Sequence, residues 1–268
     1  MATSSTKKLL LEALQKMHSS IGIIRITQDF GDDKLIVIIH GNRFINPDVQ
    51  GVIALLIRYL VQIRVISLVG CDGAFGDVDT DWIKTAKDGD TPVKIDQNTQ
   101  RSIVDALLKA GELKGVEVAR MLSSTPFTLF GPESKELYDR AAGLWEELTP
   151  LRDLLNRCAT PEQQETTLRE AMNSPQWKPL VAKFMEFVEL DHQRANAIVD
   201  RMLEKMRGMN LQTSVIECQG NLPEYISNEL SRRRISYIII DPTKTTPDDI
   251  EKYEKVFAWH KKVMESLD

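Results

Sequence analysis

The stretch Lys34-Leu-Ile-Val-Ile-Ile-His40 decides the fold class of this chain. It is almost wholly apolar and rich in β-branched residues, with Gly-Asp-Asp before it and Gly-Asn after it. A strand with one wet face would alternate apolar and polar residues, whereas a continuous apolar run is typical of a strand buried on both faces. Such strands belong to parallel sheets covered by helices on both sides. The stretch therefore predicts an α/β fold.

A helix and a second strand follow. Asn46 is a good N-cap residue and Pro47 suits the first helical position, so we predict a helix that runs to about Gln62. Val65 to Val69 reads as the next strand. Strand, helix and strand in succession make a βαβ unit, in which the strands are parallel and the crossover is right-handed.

The last third of the chain follows the same pattern. We predict strand, helix and strand there, at 213–217, 222–233 and 235–240. A further buried strand is expected at 126–130. The remaining predicted elements are a strand at 21–27 and helices at 6–18, 96–110, 115–122, 135–157 and from Thr246 to about Leu267.

These elements predict a mainly parallel central sheet flanked by helices. Between the N- and C-terminal βαβ regions, residues 133–209 show helical periodicity only, which indicates a helical insertion. We expect one α/β domain over residues 1–268, with its core formed by 19–132 and 210–268.

Composition excludes several classes of function. The net charge is −5, and the densest basic run is only Arg232-Arg233-Arg234, which argues against nucleic-acid binding. No apolar stretch reaches the roughly 20 residues that a membrane-spanning helix needs. The three cysteines are far apart and form no Cys-x-x-Cys, which suits a reducing compartment. We therefore expect a cytoplasmic protein.

The loop Gly70-Cys-Asp-Gly-Ala-Phe-Gly76 invites a phosphate-binding interpretation because it follows a predicted strand. Its glycine spacing differs from the dinucleotide fingerprint, and the chain has no Gly-Lys-Ser/Thr of a nucleotide P-loop. The Gly-x-Ser-x-Gly elbow of serine hydrolases is also missing. Cys71 is a poor nucleophile, because the adjacent Asp72 disfavours its thiolate. We interpret the loop as a turn at the carboxyl end of a strand.

Histidine is sparse in this chain, which has only His18, His40, His192 and His260. No two are close in sequence, so the closely spaced ligand pair of a zinc site is missing. His40 ends the first buried strand. A catalytic role and a neutral structural role both stay open for it.

Two acidic residues stand at predicted strand ends, Asp72 after the second core strand and Glu133 after the third. Parallel strands bring their carboxyl ends to one edge of a sheet, so these side chains can share a cleft. Paired carboxylates can hold a metal or perform acid–base chemistry. Exposed loop acids without a function are the alternative.

Several segments resemble the ChaN-like proteins, which belong to a superfamily similar to TraB/Tiki proteins and erythromycin esterases. The segments are Asn46-Pro-Asp-Val-Gln50, Leu68-Val-Gly-Cys-Asp-Gly-Ala74, Gly111-Glu-Leu-Lys-Gly-Val-Glu-Val-Ala119, Pro126-Phe-Thr-Leu-Phe-Gly-Pro-Glu133, Leu137-Tyr138, Arg194-Ala195, Ile235-Ser-Tyr-Ile and Pro247-Asp-Asp. They cover most of the chain in the family's order. The resemblance implies an active site at the strand ends, where such proteins bind haem or metals, or cleave esters or peptides.

The sequence departs from this family at two polar positions. The family's early histidine falls on Phe44 here, and its late histidine falls on Leu222 or Asn221. Asp72 stands in place of the loop glutamate, and the second glutamate is retained as Glu133. Neither phenylalanine nor leucine can act as a ligand or a base, as imidazole does near neutral pH.

The resemblance therefore implies a catalytically degenerate protein that serves as a binding or structural component. Its helical segment would contact a protein partner or a second copy, and we predict no cofactor or bound metal. The alternatives are a metal-dependent hydrolase and a protein that binds haem or a small molecule. The catalytic candidates are Asp72, Glu133 and His40. The binding candidates are Asp72, Glu133, Arg194, Arg43 and Asn221.

Overall fold

A computed structural model of the chain describes residues 6–14, 23–41, 46–88 and 91–242. Arg43, Phe44, His18, His260 and the predicted last helix lie outside these ranges. Among the described helices, none is both long and apolar enough to cross a bilayer.

Nine strands are present in the described residues. They are β1 (Ile23–Gln28), β2 (Leu35–His40), β3 (Leu68–Cys71), β4 (Phe75–Asp77), β5 (Thr85–Asp88), β6 (Thr91–Lys94), β7 (Thr128–Pro132), β8 (Thr213–Cys218) and β9 (Ser236–Asp241). The helices begin with α1, which includes residues 6–14. The others are α2 (Pro47–Gln62), α3 (Gln97–Lys109), α4 (Gly115–Leu122), α5 (Lys135–Glu147), α6 (Thr149–Asn156), α7 (Pro161–Asn173), α8 (Lys178–Gly208) and α9 (Leu222–Arg232). A 3₁₀ turn spans Asp81–Lys84.

Seven strands form one sheet in the order β1-β9-β2-β8-β3-β7-β4. The inner pairs β9–β2, β2–β8, β8–β3 and β3–β7 are parallel, and the two edge strands β1 and β4 are antiparallel to their neighbours. The predicted fold class, a mainly parallel sheet flanked by helices, is confirmed.

The inner strand β2 is buried on both faces, as its unbroken apolar run predicts. Val37 and Ile39 pack with apolar residues of α2 and α4 on one face. Ile36 and Ile38 pack on the other face with residues of α9 and of the second half of α8. Two helical layers thus remove every side chain of β2 from water, which is why no polar residue interrupts the strand before His40.

The predicted start of α2 is confirmed in detail. The side-chain oxygen of Asn46 accepts hydrogen bonds from the backbone N–H groups of Asp48 at 3.0 Å and Val49 at 3.4 Å, and Pro47 opens the helix. These bonds satisfy donors that the first helical turn leaves without a partner.

Three local features differ from the sequence prediction. The segment 70–76 contains the end of β3 and the start of β4, so the turn itself is only Asp72-Gly-Ala74. The helix predicted over 135–157 is two helices, since Pro150 sits in the first turn of α6. The antiparallel pair of β5 and β6 was not predicted, because its sequence shows no clear alternation of apolar and polar residues.

The described chain divides into two compact units. One comprises the residues up to Ser134 and those from Arg194 onward, and it contains the seven-stranded sheet. The other comprises Lys135–Gln193, and its core contains Leu148, Leu151, Leu168, Ala171 and Val181. The single-domain organisation of residues 1–268 stays a prediction.

Candidate functional site

The carboxyl ends of three adjacent parallel strands, β8, β3 and β7, bring polar side chains together in the first unit. Asp72 follows β3 in the turn before β4, and Glu133 follows β7. The backbone N–H of Asp72 donates to the carbonyl oxygen of Glu217 on β8 at 3.0 Å, so the turn is held against the neighbouring strand. This edge is where open α/β sheets bind their ligands.

Arg194 joins the two sequence-predicted acids. Its Nη2 lies 2.5 Å from Oε1 of Glu133 and 3.3 Å from Oδ1 of Asp72, and its Nε donates to Oε2 of Glu133 at 3.4 Å. The backbone N–H of Gln219 donates to Oδ2 of Asp72 at 3.2 Å. Each oxygen of both carboxylates therefore accepts a hydrogen bond from a protein donor.

This ion cluster is buried. Glu133 is 0% exposed and Arg194 is 8% exposed. Burial raises the pKa of Glu133 above its ordinary value and Asp72 adds to that effect, although the guanidinium of Arg194 opposes it. Arg201 also donates to the backbone oxygen of Glu133, which fixes the chain after β7. One arginine thus forms ion pairs with both of the carboxylates that the sequence predicts at this edge.

A second buried pair, Lys114 and Glu217, lies beside the first and was not predicted. The Nζ of Lys114 is 3.9 Å from Oε2 of Glu217, and it donates a hydrogen bond to the backbone oxygen of Asp72. Burial alone lowers the pKa of Lys114, but the neighbouring anionic groups, of which Glu217 has the largest effect, together outweigh burial and the pKa is raised. Burial raises the pKa of Glu217 to about 7.

The carboxylate of Glu217 is 0% exposed, and neither of its oxygens has a hydrogen-bond partner among the described residues. The side chain lies against Gly41, where an added Cβ would come within 2.0 Å of Oε1. In the same part of the chain, the amide nitrogens of Gln50 and Gln219 are also buried without a described partner. Such groups normally find partners, so this cluster is the least satisfied polar region of the described core.

Gln50 and Lys114 are brought close by a tight contact between α2 and α4. The Oε1 of Gln50 accepts from the backbone N–H of Gly115 at 2.6 Å. A Cβ on Gly115 would lie 2.3 Å from the backbone oxygen of Gln50. A glycine is therefore required at the start of α4 for Lys114 to reach the strand ends.

The other predicted site residues have different contacts or lie outside the described ranges. His40 is 1% exposed, and its Nδ1 lies 2.9 Å from Oδ1 of Asp241, at the end of β9. Asn221 takes the N-cap position of α9 without a side-chain capping bond. Arg43 is outside the described residues.

The thiols at this edge are not activated. Cys71 and Cys218 are buried, and burial raises the pKa of each thiol. A raised pKa lowers the thiolate fraction, which is the reactive form. The interpretation of Cys71 as a poor nucleophile agrees with this geometry, with desolvation rather than Asp72 as the largest cause.

The carboxylates of this edge are paired within the protein. The oxygens of Asp72 and Glu133 accept hydrogen bonds from Arg194 and Gln219, so a cation at ligand distances of about 2.0–2.6 Å would have to share them with these donors. Within the described ranges, no group of three or more His, Cys, Asp or Glu side chains is arranged to hold a metal ion.

The fold and the site define a class: an α/β protein with a mostly parallel sheet and a buried ion cluster at the strand ends. Comparison of the chain with protein-family models, with curated proteins and with solved structures finds no match.

Glu217 and Lys114 left only a weak signal in the sequence. Glu217 is a charged residue in the otherwise apolar run Val215-Ile-Glu-Cys218. A charged residue is rarely buried in a strand unless it is paired with another group. Lys114 precedes Gly115 in a segment with no other polar motif, so its partner could not be named from spacing.

Proposed function

We propose that this chain is a catalytically degenerate protein of the ChaN-like and TraB-like kind that acts as a binding or structural component. The observation that carries the proposal is the bridge from Arg194 to Asp72 and Glu133. A guanidinium stands between the acids, where metal-assisted hydrolysis needs an ion and a water. The cluster ties α8 to the ends of β3 and β7 and so stabilises the scaffold.

The late family position supports the same proposal. Leu222 is 3% exposed and belongs to the apolar cluster between the sheet and α9. An imidazole there would have to enter an apolar environment, and the leucine side chain can neither bind a ligand nor transfer a proton. The unpaired thiols of Cys71, Cys158 and Cys218 support a cytoplasmic location.

The binding partner that we propose is a protein, or a second copy of this chain, which contacts the helical segment. Trp145 on α5 is 45% exposed, which is unusual for a large aromatic side chain. Its ring lies 5.3 Å from the ring of Phe187 and under the guanidinium of Arg152, at 4.1 Å. These contacts hold the indole in one orientation, and rigid exposed tryptophans are common anchors of protein interfaces.

Native mass spectrometry and light scattering of the full chain test this proposal. We expect the wild-type protein to form a defined dimer, or a defined complex with a partner identified by co-purification from its own cells. Trp145→Ala should weaken the assembly at least tenfold, because interface tryptophans often contribute about 2 kcal/mol or more.

Trp82→Ala is the matched control, since Trp82 is 48% exposed in the sheet-containing unit. It should leave the assembly unchanged. The proposal would be contradicted by a wild-type protein that is monomeric at about 100 μM and has no stable partner, or by equal effects of the two substitutions. For scale, a Kd of 1 μM corresponds to about 8 kcal/mol of binding free energy.

One observation favours a hydrolase as the second candidate. Glu217 lies at ion-pair distance from Lys114, but neither carboxylate oxygen has a hydrogen-bond partner among the described residues. Its pKa is raised to about 7, which is the range of a general base at neutral pH. Against it, the side chain is fully buried. Turnover of an ester or peptide panel that is abolished by Glu217→Gln, with the fold retained, would establish this candidate instead.

A further inference from the structure

A cavity of about 220 Å³ lies at the edge of the sheet opposite the ion cluster. Its first wall is the last half of α2, which starts at the carboxyl end of β2 and therefore ends at the amino edge. Leu55, Arg58, Tyr59 and Gln62 line this wall. Their spacing of three, four and seven residues places all four on one face of the helix.

The second wall is the loop after α4, which contributes Ser123, Ser124 and Thr125. The hydroxyl of Ser123 is used within the loop, since it donates to the backbone oxygen of Thr125 at 2.8 Å. Among the described residues, no side chain provides a hydrogen bond to the hydroxyls of Ser124, Thr125 or Tyr59. The cavity is thus lined by donors that are available to a ligand.

Arg58 supplies the charge of this cavity. It is partly buried, and no carboxylate among the described residues pairs with it. None of the residues that line the cavity is acidic. A guanidinium in a concave site without a counter-ion is a recognition group for a planar or tetrahedral anion.

The guanidinium is not needed to cap α2. The backbone oxygens of Tyr59, Leu60 and Val61 accept hydrogen bonds from the N–H groups of Ile63, Val65 and Arg64 at 3.1, 3.1 and 2.9 Å. The end of the helix is therefore closed by its own backbone. The positive charge of Arg58 stays available to a bound group.

From this geometry we infer that the cavity binds a small phosphate-bearing molecule. Three hydroxyl groups and a forked guanidinium suit the three terminal oxygens of a phosphate monoester better than the two of a carboxylate. The volume of about 220 Å³ is below the roughly 300–1,000 Å³ of pockets for drug-sized ligands, which favours a phosphate with a short organic group over a nucleotide. Leu55 is 62% exposed and offers an apolar contact for that group. The inference does not depend on the proposed function, because the ion cluster is at the other edge.

Titration of the full chain with phenyl phosphate tests the inference. Calorimetry measures the affinity, and amide chemical shifts report which residues the ligand contacts. Saturable binding should shift the N–H signals of Ser124 and Thr125. Arg58→Gln should weaken binding about tenfold or more, since a charge-assisted hydrogen bond is lost. Thr125→Val, which keeps the side-chain volume, should weaken it less. Arg101→Gln, an exposed change on α3 away from the cavity, should bind as the wild type does.

Benzyl alcohol is the neutral probe and should not bind. Urea midpoints equal to that of the wild type would show that the variants are folded. Three results would each overturn the inference. They are equal affinity of the wild type and Arg58→Gln for phenyl phosphate, binding of benzyl alcohol as tight as that of phenyl phosphate, and no saturation by about 20 mM phenyl phosphate. For scale, a Kd of 1 mM corresponds to about 4 kcal/mol of binding free energy.

Discussion

The Nζ of Lys114 at the start of α4 lies 3.9 Å from Oε2 of Glu217 at the end of β8. Both side chains are buried, and the lysine also donates to the backbone oxygen of Asp72. One cation thus holds together the carboxyl ends of β3 and β8. The distance is too long for a strong hydrogen bond, so Glu217 is desolvated more than it is stabilised.

Stability should therefore fall as pH rises from about 4.5 to about 7. Burial raises the pKa of Glu217 to about 7 from the value of 4.5 expected in the unfolded chain. Between these values the folded state binds more protons, so the free energy of unfolding decreases as pH increases, and the effect is complete above pH 7. The difference corresponds to about 3 kcal/mol. Urea unfolding at pH 5, 6, 7 and 8 measures it.

Glu217→Gln should flatten this pH dependence, since glutamine keeps the shape and does not titrate. Glu112→Gln makes the same chemical change at an exposed position and should leave the slope as in the wild type. Glu133 shifts in the same direction and supplies the residual slope. Stability that rises from pH 5 to pH 8 would contradict the assignment.

Removing Arg194 should destabilise the fold strongly. Arg194→Met leaves two buried carboxylates without their shared cation, and breaking a buried ion pair costs about 3–5 kcal/mol. Arg232→Met removes an exposed pair with Glu229 and should cost less than about 1 kcal/mol. Chemical denaturation compares them. Similar losses in the two variants would show that the cluster is only loosely formed.

Two glycine substitutions should have opposite effects. Gly115→Ala places a Cβ 2.3 Å from the backbone oxygen of Gln50, and neither backbone can yield easily, so we expect a loss of about 1–3 kcal/mol. Gly51→Ala in α2 meets nothing within 4 Å and should gain about 0.5–1 kcal/mol from helix propensity. Thermal unfolding of both variants measures this contrast. A neutral Gly115→Ala would contradict the tight contact between α2 and α4.

Divalent metals should not stabilise the protein. A ligand that binds only the native state raises the melting temperature, whereas the oxygens of Asp72 and Glu133 already accept protein hydrogen bonds. We expect Zn²⁺, Mn²⁺ and Fe²⁺ at 1 mM (an excess of about 100-fold over a 10 μM site) to leave the melting temperature unchanged. An increase that Asp72→Asn abolishes would establish a metal site and overturn the degenerate function.

The sequence by itself determined the layers of this fold. The unbroken apolar run before His40 is typical of a strand covered on both faces, and Asn46-Pro47 predicts the start of the next helix. Both signals act through neighbouring residues. Asp72 and Glu133 could be assigned to one edge for a similar reason, because parallel strands end together. The antiparallel edge strand β4 was not predictable, since it depends on Gly131, whose backbone is in close contact with that of Ala74.

Only the tertiary structure decided what the strand-end residues do. His40 pairs with Asp241, and Asp72 and Glu133 pair with Arg194, over separations of 201, 122 and 61 positions along the chain. No local pattern encodes such partners, because they depend on which strands become neighbours in the sheet. Burial then sets the charge of Glu217, since the free energy of a carboxylate depends on its distance from water and from Lys114. The sequence of this protein therefore specifies at which edge of the sheet its polar groups lie. The three-dimensional packing specifies which partners they have, and so whether they are available for chemistry.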